Sequence, residues 1–564
     1  MAAPATQKLN ECTRGWLRHL WRKATTEDDW SSSGEPHPWW DKYSLEPMLS
    51  FPRFDLSESS YALLLMGRKT PAWREVYTRI LDELVRRHTT HWAAVDWLTQ
   101  IGPDPDRANY PERYRGLIPK DLWGGYDVPG WTANGVEPWG VQPDPIGSDG
   151  NLFFRGFFSL LLSIHRAVSG ETTWEKPFEV TGLDGRTFPW THSKIATYLS
   201  ENWAKNPEGP HCENTKVWPY CLSAAGLGLQ MTDLTLGTST HWVYDHWLED
   251  TFKTRFLEFD PRGHLRSVGL YHDPLLERTH RQPRAGGLAP AFYVLPQNRE
   301  MAEFLYRSAV SSVGWNRWWM PVLGPTSQPR LFTIGLLLAR EFGDHTTERR
   351  LTRKLARFEN GRYFDAGDAA AGQYEEEFGY FFNFDEAYPR GQETALLMVR
   401  DLLDGEGEWH RAFNESDAEK FAAPTVEGVD YPRMGLATAW NDPGSASLEL
   451  ETYVATRSNR GSPTRFRVTR LPDSGAVSVM RDGAEHGDWK ALGSDTIEIG
   501  TEIGAHTFRI HTGYRLDASA AFREHTPSRR ANAPSTAMNL RPIDLTTAGA
   551  AFAGGGGCPC CVGP

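Results

Sequence analysis

The sequence predicts a mainly α fold, a toroid of paired helices, followed by a small antiparallel β-rich domain. Three observations carry that prediction. From about residue 45 to about residue 410, apolar residues recur at three- and four-residue steps. Along that stretch fully apolar helical segments alternate with amphipathic ones, as an inner ring wrapped by an outer ring requires. After "FAAPTVEGVDYPRMG" the period drops to two.

The elements follow in order. "TRILDELVRRHTTHWAAVDWLTQ" carries an apolar stripe on one helical face. "NLFFRGFFSLLLSIHRAVSG" is apolar all round and closes on Gly170, which reads as a buried helix with a glycine stop. Further helices are "SKIATYLSENWAKN", "CLSAAGLGLQMTDL", "EMAEFLYRSAVSSV", "LFTIGLLLAREFGD" and "GQETALLMVRDLL". Long loops rich in Pro, Gly and Trp, such as "GGYDVPGWTANGVEPWGVQPDPIGSDG", are the kind that cover a ligand site. The segments "SLELETYVAT", "TRFRVTRL", "AVSVMRDG", "TIEIGTEI" and "HTFRIHTG" alternate as strands. The expected layout is a lead-in over 1–44, a helical catalytic domain over 45–424, a β-rich domain over 425–520 and a small, polar, Gly-rich tail over 521–564.

Composition narrows the function. Of 564 residues, 40% are hydrophobic and 23% charged, and the net charge is −12 with no basic stripe, which argues against nucleic acid as a partner. The chain holds 23 Trp, 27 Phe and 19 Tyr, enough to fill a large core or to line pockets for apolar or sugar-like ligands. No secretory signal opens the sequence and no run approaches about eighteen apolar residues, so no membrane span is expected. Six cysteines in a chain this long make no disulfide framework, and a reducing, cytoplasmic home is expected. In that home the sequon at Asn414 carries no glycan, and the tail cysteines Cys558, Cys560 and Cys561 read as part of an exposed, unstructured end.

The segment "HCENTKVWPYC", His211 to Cys221, concentrates the chemistry. Zinc sites use two close ligand pairs, and here no second pair lies downstream. His88 and His91 sit three apart on a helix without a carboxylate at matching spacing, so they read as a core or solvated pair. A disulfide fits the spacing and not the compartment. Plain burial and a functional thiol pair both stay open. For the second reading, Pro219 suits the first turn of a helix, so Cys221 lies where the helix dipole favours a thiolate. Cys212 lies on the loop leading in, and Glu213 beside it can act as acid, base or orienter.

"CENTKVWPYCLSAAGLGLQMTD" resembles the core motif of the linalool dehydratase/isomerase family, Cys-Glu, then eight residues on a second Cys, then a helix ending in an acidic residue. "NLFFRGFFSLLLSIHRAVSGETTWE" and "GLLLAREFGD" resemble two further blocks of that family in the same order, and the likeness spans roughly residues 50 to 405. It implies an (α/α)6 barrel, a homo-oligomer, no cofactor and no metal, and chemistry that removes water from, adds it to, or isomerises an allylic isoprenoid alcohol. Carried over by position, Cys212 and Cys221 match the two active-site cysteines, Trp218 a pocket aromatic and Phe153 a pocket Met. The family's active-site His falls on Phe157, and a pocket Tyr falls near Ala285. Asp55 and Tyr61 are local candidates for the family's early Asp and Tyr.

The leading expectation is therefore a cofactor-free lyase or isomerase acting on a small apolar oxygenated substrate of terpenoid or polyketide type. Dehydration, isomerisation and cyclisation all stay open. A carbohydrate-active enzyme is the alternative, since a toroid followed by a β domain also suits polysaccharide lyases and glycosidases. Its paired carboxylates would come from Glu375, Glu376, Glu377 and Asp385, or its Tyr of a Tyr/His pair from Tyr374, in a stretch that otherwise reads as an exposed acidic turn. A non-catalytic binder of apolar ligands is the third reading, favoured by Phe157 in place of His and opposed by the intact thiols.

Overall fold

The computed structural model describes residues 8–34, 36–37, 40, 52–93, 144–148, 151–182, 185–212, 216–274, 277–324, 329–356, 361–363, 380–382, 392–442, 444–515 and 523–524. Helices dominate up to residue 414 and antiparallel strands follow.

The predicted lead-in contains a helix, α1 (Glu11–Thr25), capped by the Asn10 side chain, which accepts from the Thr13 N–H at 2.9 Å. Its apolar side chains Trp16, Leu17, Leu20 and Ala24 are buried, which is why a segment read as a preamble is part of the core. Next come α2 (Pro52–Lys69), α3 (Glu75–His88), α4 (Leu152–Ser169), α5 (His192–Lys205) and α6 (Pro219–Leu236). Then follow α7 (Leu288–Gln297), α8 (Arg299–Val313), α9 (Pro329–Glu341), α10 (His345–Leu355), α11 (Gln392–Leu402) and α12 (Glu408–Asn414).

Two of these helices show how sequence sets packing. α4 buries nearly its whole circumference and stops at Gly170, whose φ of +75° is left-handed, as the glycine stop predicts. By length and composition α4 could cross a membrane, yet 83% of it is buried inside the fold. α6 starts with Pro219 in its first turn, where a missing N–H costs nothing. The two backbones approach closely because glycines face the contact. A Cβ on Gly156 would lie 2.7 Å from the Ala225 Cβ, and one on Gly228 would lie 3.1 Å from the Leu160 backbone nitrogen.

The long helices pack in a cyclic order. α2 contacts α4, α4 contacts α6, α6 contacts α7, α7 contacts α9, α9 contacts α11, and α11 returns to α2. The helices that come between them in the chain lie against adjacent members: α3 on α2 and α4, α5 on α4 and α6, α8 on α7 and α9. α12 touches α2, α6, α7 and α9 together, and its Trp409 stacks on Phe292 with ring centroids 4.6 Å apart.

A three-stranded antiparallel meander, Leu257–Phe259, Leu265–Asp273 and Arg278–Pro283, sits inside the stretch read as helical. Its middle strand reaches the cysteine loop: the Val217 N–H donates to the His272 carbonyl at 2.8 Å, and the reverse bond is 2.9 Å.

The C-terminal β region is antiparallel throughout. One sheet orders Met434–Asp442, Ser447–Val454, Thr507–His511, Ser478–Arg481 and Ala484–Glu485. The other orders Trp489–Ala491, Ile497–Glu502, Pro463–Thr469 and Thr425–Glu427. Phe466 of one sheet meets Phe508 of the other at 5.5 Å, within a shared apolar layer. Backbone bonds fix this region to the helices: Leu9 N–H to the Ala437 carbonyl (2.8 Å), Ala72 N–H to the Ala439 carbonyl (3.0 Å) and Val426 N–H to the Ala72 carbonyl (2.8 Å).

Candidate active site

The loop that carries the first cysteine is tied down on both sides. The His211 carbonyl accepts from the Leu152 N–H at 3.2 Å, at the start of α4, and the Cys212 N–H donates to the Lys216 carbonyl at 2.7 Å. Lys216 Nζ lies 3.3 Å from Asp273 Oδ2, with both side chains fully buried. The same ammonium lies over the Tyr271 ring, and that ring packs on Trp218, 4.6 Å between centroids. His272 is neutral here: burial, then the neighbouring Arg255 guanidinium, lowers it to about 4.

Trp218 is the residue before α6 and Cys221 lies in its first turn, as the break at Pro219 predicts. Cys212 and Cys221 are both buried, and neither is in a disulfide. Glu213 lies outside the described residues, as do Tyr374, Glu375, Glu376, Glu377 and Asp385. His88 is a core histidine, stacked on Phe158 at 4.5 Å. The one His and carboxylate group spaced for a metal among the described residues is Asp82, His165 and Glu171, far along the chain from the thiols. There a direct bond from His165 Nε2 to Asp82, 3.0 Å, accounts for the arrangement.

Phe153 and Phe157 project from the first turns of α4 onto Phe54 of α2, at 6.0 and 5.0 Å between centroids. Phe157 also packs on Tyr220 (6.0 Å) and Tyr293 (5.8 Å). Those two phenols belong to a polar knot of which the sequence-based site held Tyr61 alone. Tyr220, directly before Cys221, donates to Glu58 Oε1 at 2.9 Å, and Tyr293 donates to the same oxygen at 3.1 Å. Arg330 Nη2 reaches that oxygen at 3.2 Å and also bonds the Tyr220 hydroxyl. Tyr61, one of the predicted residues, joins through its hydroxyl, 3.0 Å from that of Tyr293. All five side chains are buried. Burial, then the Glu58 carboxylate, holds the Tyr61 and Tyr293 phenols well above their ordinary range, so both stay O–H donors.

Asp55 takes a different place. Its carboxylate pairs with Lys23 of α1 at 2.5 Å, so on α2 it is Glu58 that joins Tyr61 in the knot. Ala285 lies in a short helical turn before α7, and it is Tyr293, further along, that brings a phenol to the site. Glu58 left one trace in the sequence, a second carboxylate after Asp55 in "FDLSESSYALLLM", a segment rich in apolar and small residues. Tyr220, Tyr293 and Arg330 left none, since they sit on three separate helices.

Residues 129–370 match the model of the linalool dehydratase/isomerase family. That stretch contains both buried cysteines, Phe153, Phe157, Trp218, Tyr220, Tyr293 and Arg330, whereas Asp55, Glu58 and Tyr61 precede it. It relates the thiol segment to a lyase/isomerase family. No curated protein matches the chain. Solved structures similar to it include a GH76 alpha-mannanase from Bacteroides thetaiotaomicron, 10% identical over 70% of this chain and 95% of that one, with a TM-score of 0.34. Endoglucanase CelQ from Clostridium thermocellum is 10% identical over 91% of this chain and 94% of its own, with a TM-score of 0.30. These likenesses are too distant to carry an argument about fold or activity.

Proposed function

We propose that this chain is a lyase or isomerase for an apolar, oxygenated substrate, with Cys212, Cys221, Glu213 and the Glu58 knot as its acid–base groups. The observation that carries the reading is the packing of Tyr220 and Tyr293, both bonded to the Glu58 carboxylate that Arg330 also reaches, against Phe157, the position where the resembling family has a histidine. The proton-transfer capacity that Phe157 lacks is thus present one ring away.

A thiol of Cys212 or Cys221 gives its proton to the substrate hydroxyl as the carbon–oxygen bond breaks, and water leaves. The cation that remains on carbon meets the aromatic faces of Phe54, Phe153 and Phe157. Its neighbouring carbon loses a proton to Glu58, whose negative charge Arg330 offsets, and an alkene results. Water that adds at another carbon instead loses its proton to the cysteine thiolate and gives an isomeric alcohol; after elimination the proton on Glu58 returns to the thiolate by way of solvent. Glu213 is the third proposed proton carrier, next to Cys212 in the chain.

The family match supports the reaction class, and the cyclic packing of α2, α4, α6, α7, α9 and α11 supports an (α/α)6 barrel with this site among its helices. A terpenoid or polyketide-type substrate and a homo-oligomer belong to the same proposal and rest on the resemblance of the cysteine motif, and a cytoplasmic setting rests on the small number of cysteines. The test is turnover of a panel of allylic terpenoid alcohols by the full chain. Cys212→Ala and Cys221→Ala should each abolish it with the melting temperature unchanged. Full activity in both variants would reduce the thiols to packing.

A further inference from the structure

The far ends of the same helices border a cavity. Glu58, Phe153, Phe157 and Cys221 lie toward the starts of α2, α4 and α6. A cavity of about 160 Å³ lies toward their ends, bounded also by α12 and the turn that follows it. Its apolar lining includes Leu64, Ala167, Met231, Leu234, Ala412 and Phe421. A space of this size holds a molecule of roughly six heavy atoms.

Charge on the lining is unbalanced. Five charged side chains face it: Arg68, Arg166, Lys420, Glu415 and Asp417. Arg68 pairs with Glu415 at 2.6 Å, and Lys420 pairs with Asp417 at 3.0 Å. Arg166 spends one N–H on the Gly170 carbonyl at 2.6 Å, which answers the partial negative charge at the end of α4. Among the described residues it has no carboxylate partner, so three cations face two carboxylates. Burial lowers the Lys420 pKa against the opposing pull of Asp417, and the nearby Arg74 and Arg68 cations add to the lowering.

We propose that this cavity is a binding site for a small branched organic carboxylate, its alkyl part against Leu64, Met231 and Phe421 and its charge on Arg166. The site is separate from the thiols and the Glu58 knot, and it stands whether or not the reaction proposed above is right. An apolar floor selects the alkyl body, and a guanidinium with donors left over selects the planar carboxylate.

Isovalerate is the probe, titrated into the full chain by calorimetry, with isoamyl alcohol as its uncharged counterpart. Saturable binding of isovalerate is expected, weaker by at least about tenfold for the alcohol and for Arg166→Gln. Ala167→Leu, which fills the cavity and leaves every charge in place, should weaken it to the same degree, and Cys212→Ala should bind as the native chain does. No saturable binding to the native chain, or native affinity in both Arg166→Gln and Ala167→Leu, overturns the proposal.

Discussion

The Tyr220 hydroxyl donates to Glu58 Oε1 at 2.9 Å, joining the residue next to Cys221 on α6 to a carboxylate on α2. Tyr293 and Arg330 reach the same oxygen, so one buried carboxylate is shared by three helices besides its own. A group so placed either locks the core or does chemistry, and the two roles predict different variants.

Tyr220→Phe separates them. It removes the hydroxyl's bonds to Glu58 and Arg330 and leaves the ring against Phe157, so stability should fall by about 2–4 kcal/mol. If the phenol orients or assists Glu58, turnover should fall by about tenfold to a hundredfold. Chemical denaturation and steady-state rates on the same preparation check both. A rate that falls no further than the folded fraction assigns the bond to packing.

The Lys216–Asp273 pair makes a stability prediction. With both side chains fully buried, Asp273→Ala strands an ammonium in the interior and should cost about 3–5 kcal/mol. Replacing both partners, Lys216→Met with Asp273→Leu, should recover most of that loss. Because the Lys216 carbonyl holds the Cys212 N–H, the single variant should also speed alkylation of Cys212 by iodoacetamide. Unchanged alkylation in a destabilised Asp273→Ala protein would show that the pair does not hold the loop.

Glu341 predicts a pH dependence. Burial raises its carboxyl from 4.5 to about 7, against the opposing pull of the Trp409 N–H and Arg299. Between those two values the folded chain keeps a proton that the unfolded chain has released, so stability falls as pH rises through that window. Glu341→Gln keeps the oxygen that accepts from Trp409 and abolishes the titration. It should add up to about 3 kcal/mol at about pH 8 and little at about pH 4. Urea unfolding at the two pH values checks it, and parallel pH profiles for the two proteins would contradict it.

The α4–α6 contact predicts a steric cost. Gly156→Val places methyl groups where even a Cβ would lie 2.7 Å from that of Ala225, and should cost about 1–3 kcal/mol or more. A native melting temperature in that variant would mean that the helices have room to part.

What the sequence could disclose follows from how far each signal reaches. α4 and α6 were legible because periodicity, Gly170 and Pro219 all act within one helix. The β region was legible for the same reason, as its alternation is local, whereas the short strand Arg523–Glu524, which pairs with Glu415–Ser416, falls in the stretch read as an unstructured tail, because two residues carry no alternation. α1 hid in a short amphipathic segment rich in charge, and the meander around His272 hid within a long stretch of helical period. The cysteines stood out as candidates because both lie in one short motif. The Glu58 knot draws on α2, α6, α7 and α9, and no spacing along the chain links residues 58, 220, 293 and 330 before the helices pack. Asp55 and Glu58 stand one turn apart on α2, and only packing shows that Lys23 claims the first while Arg330 claims the second.

Oxygen exchange tests the central claim most directly. The full chain is incubated with an allylic terpenoid alcohol in ¹⁸O-water, and the alcohol and any alkene are read by mass spectrometry. Carbon–oxygen cleavage at a site built from the thiols and the Glu58 knot predicts ¹⁸O in recovered alcohol or an alkene product, both lost in Cys221→Ala and strongly reduced in Tyr220→Phe. Exchange that proceeds at the native rate in both variants would contradict it.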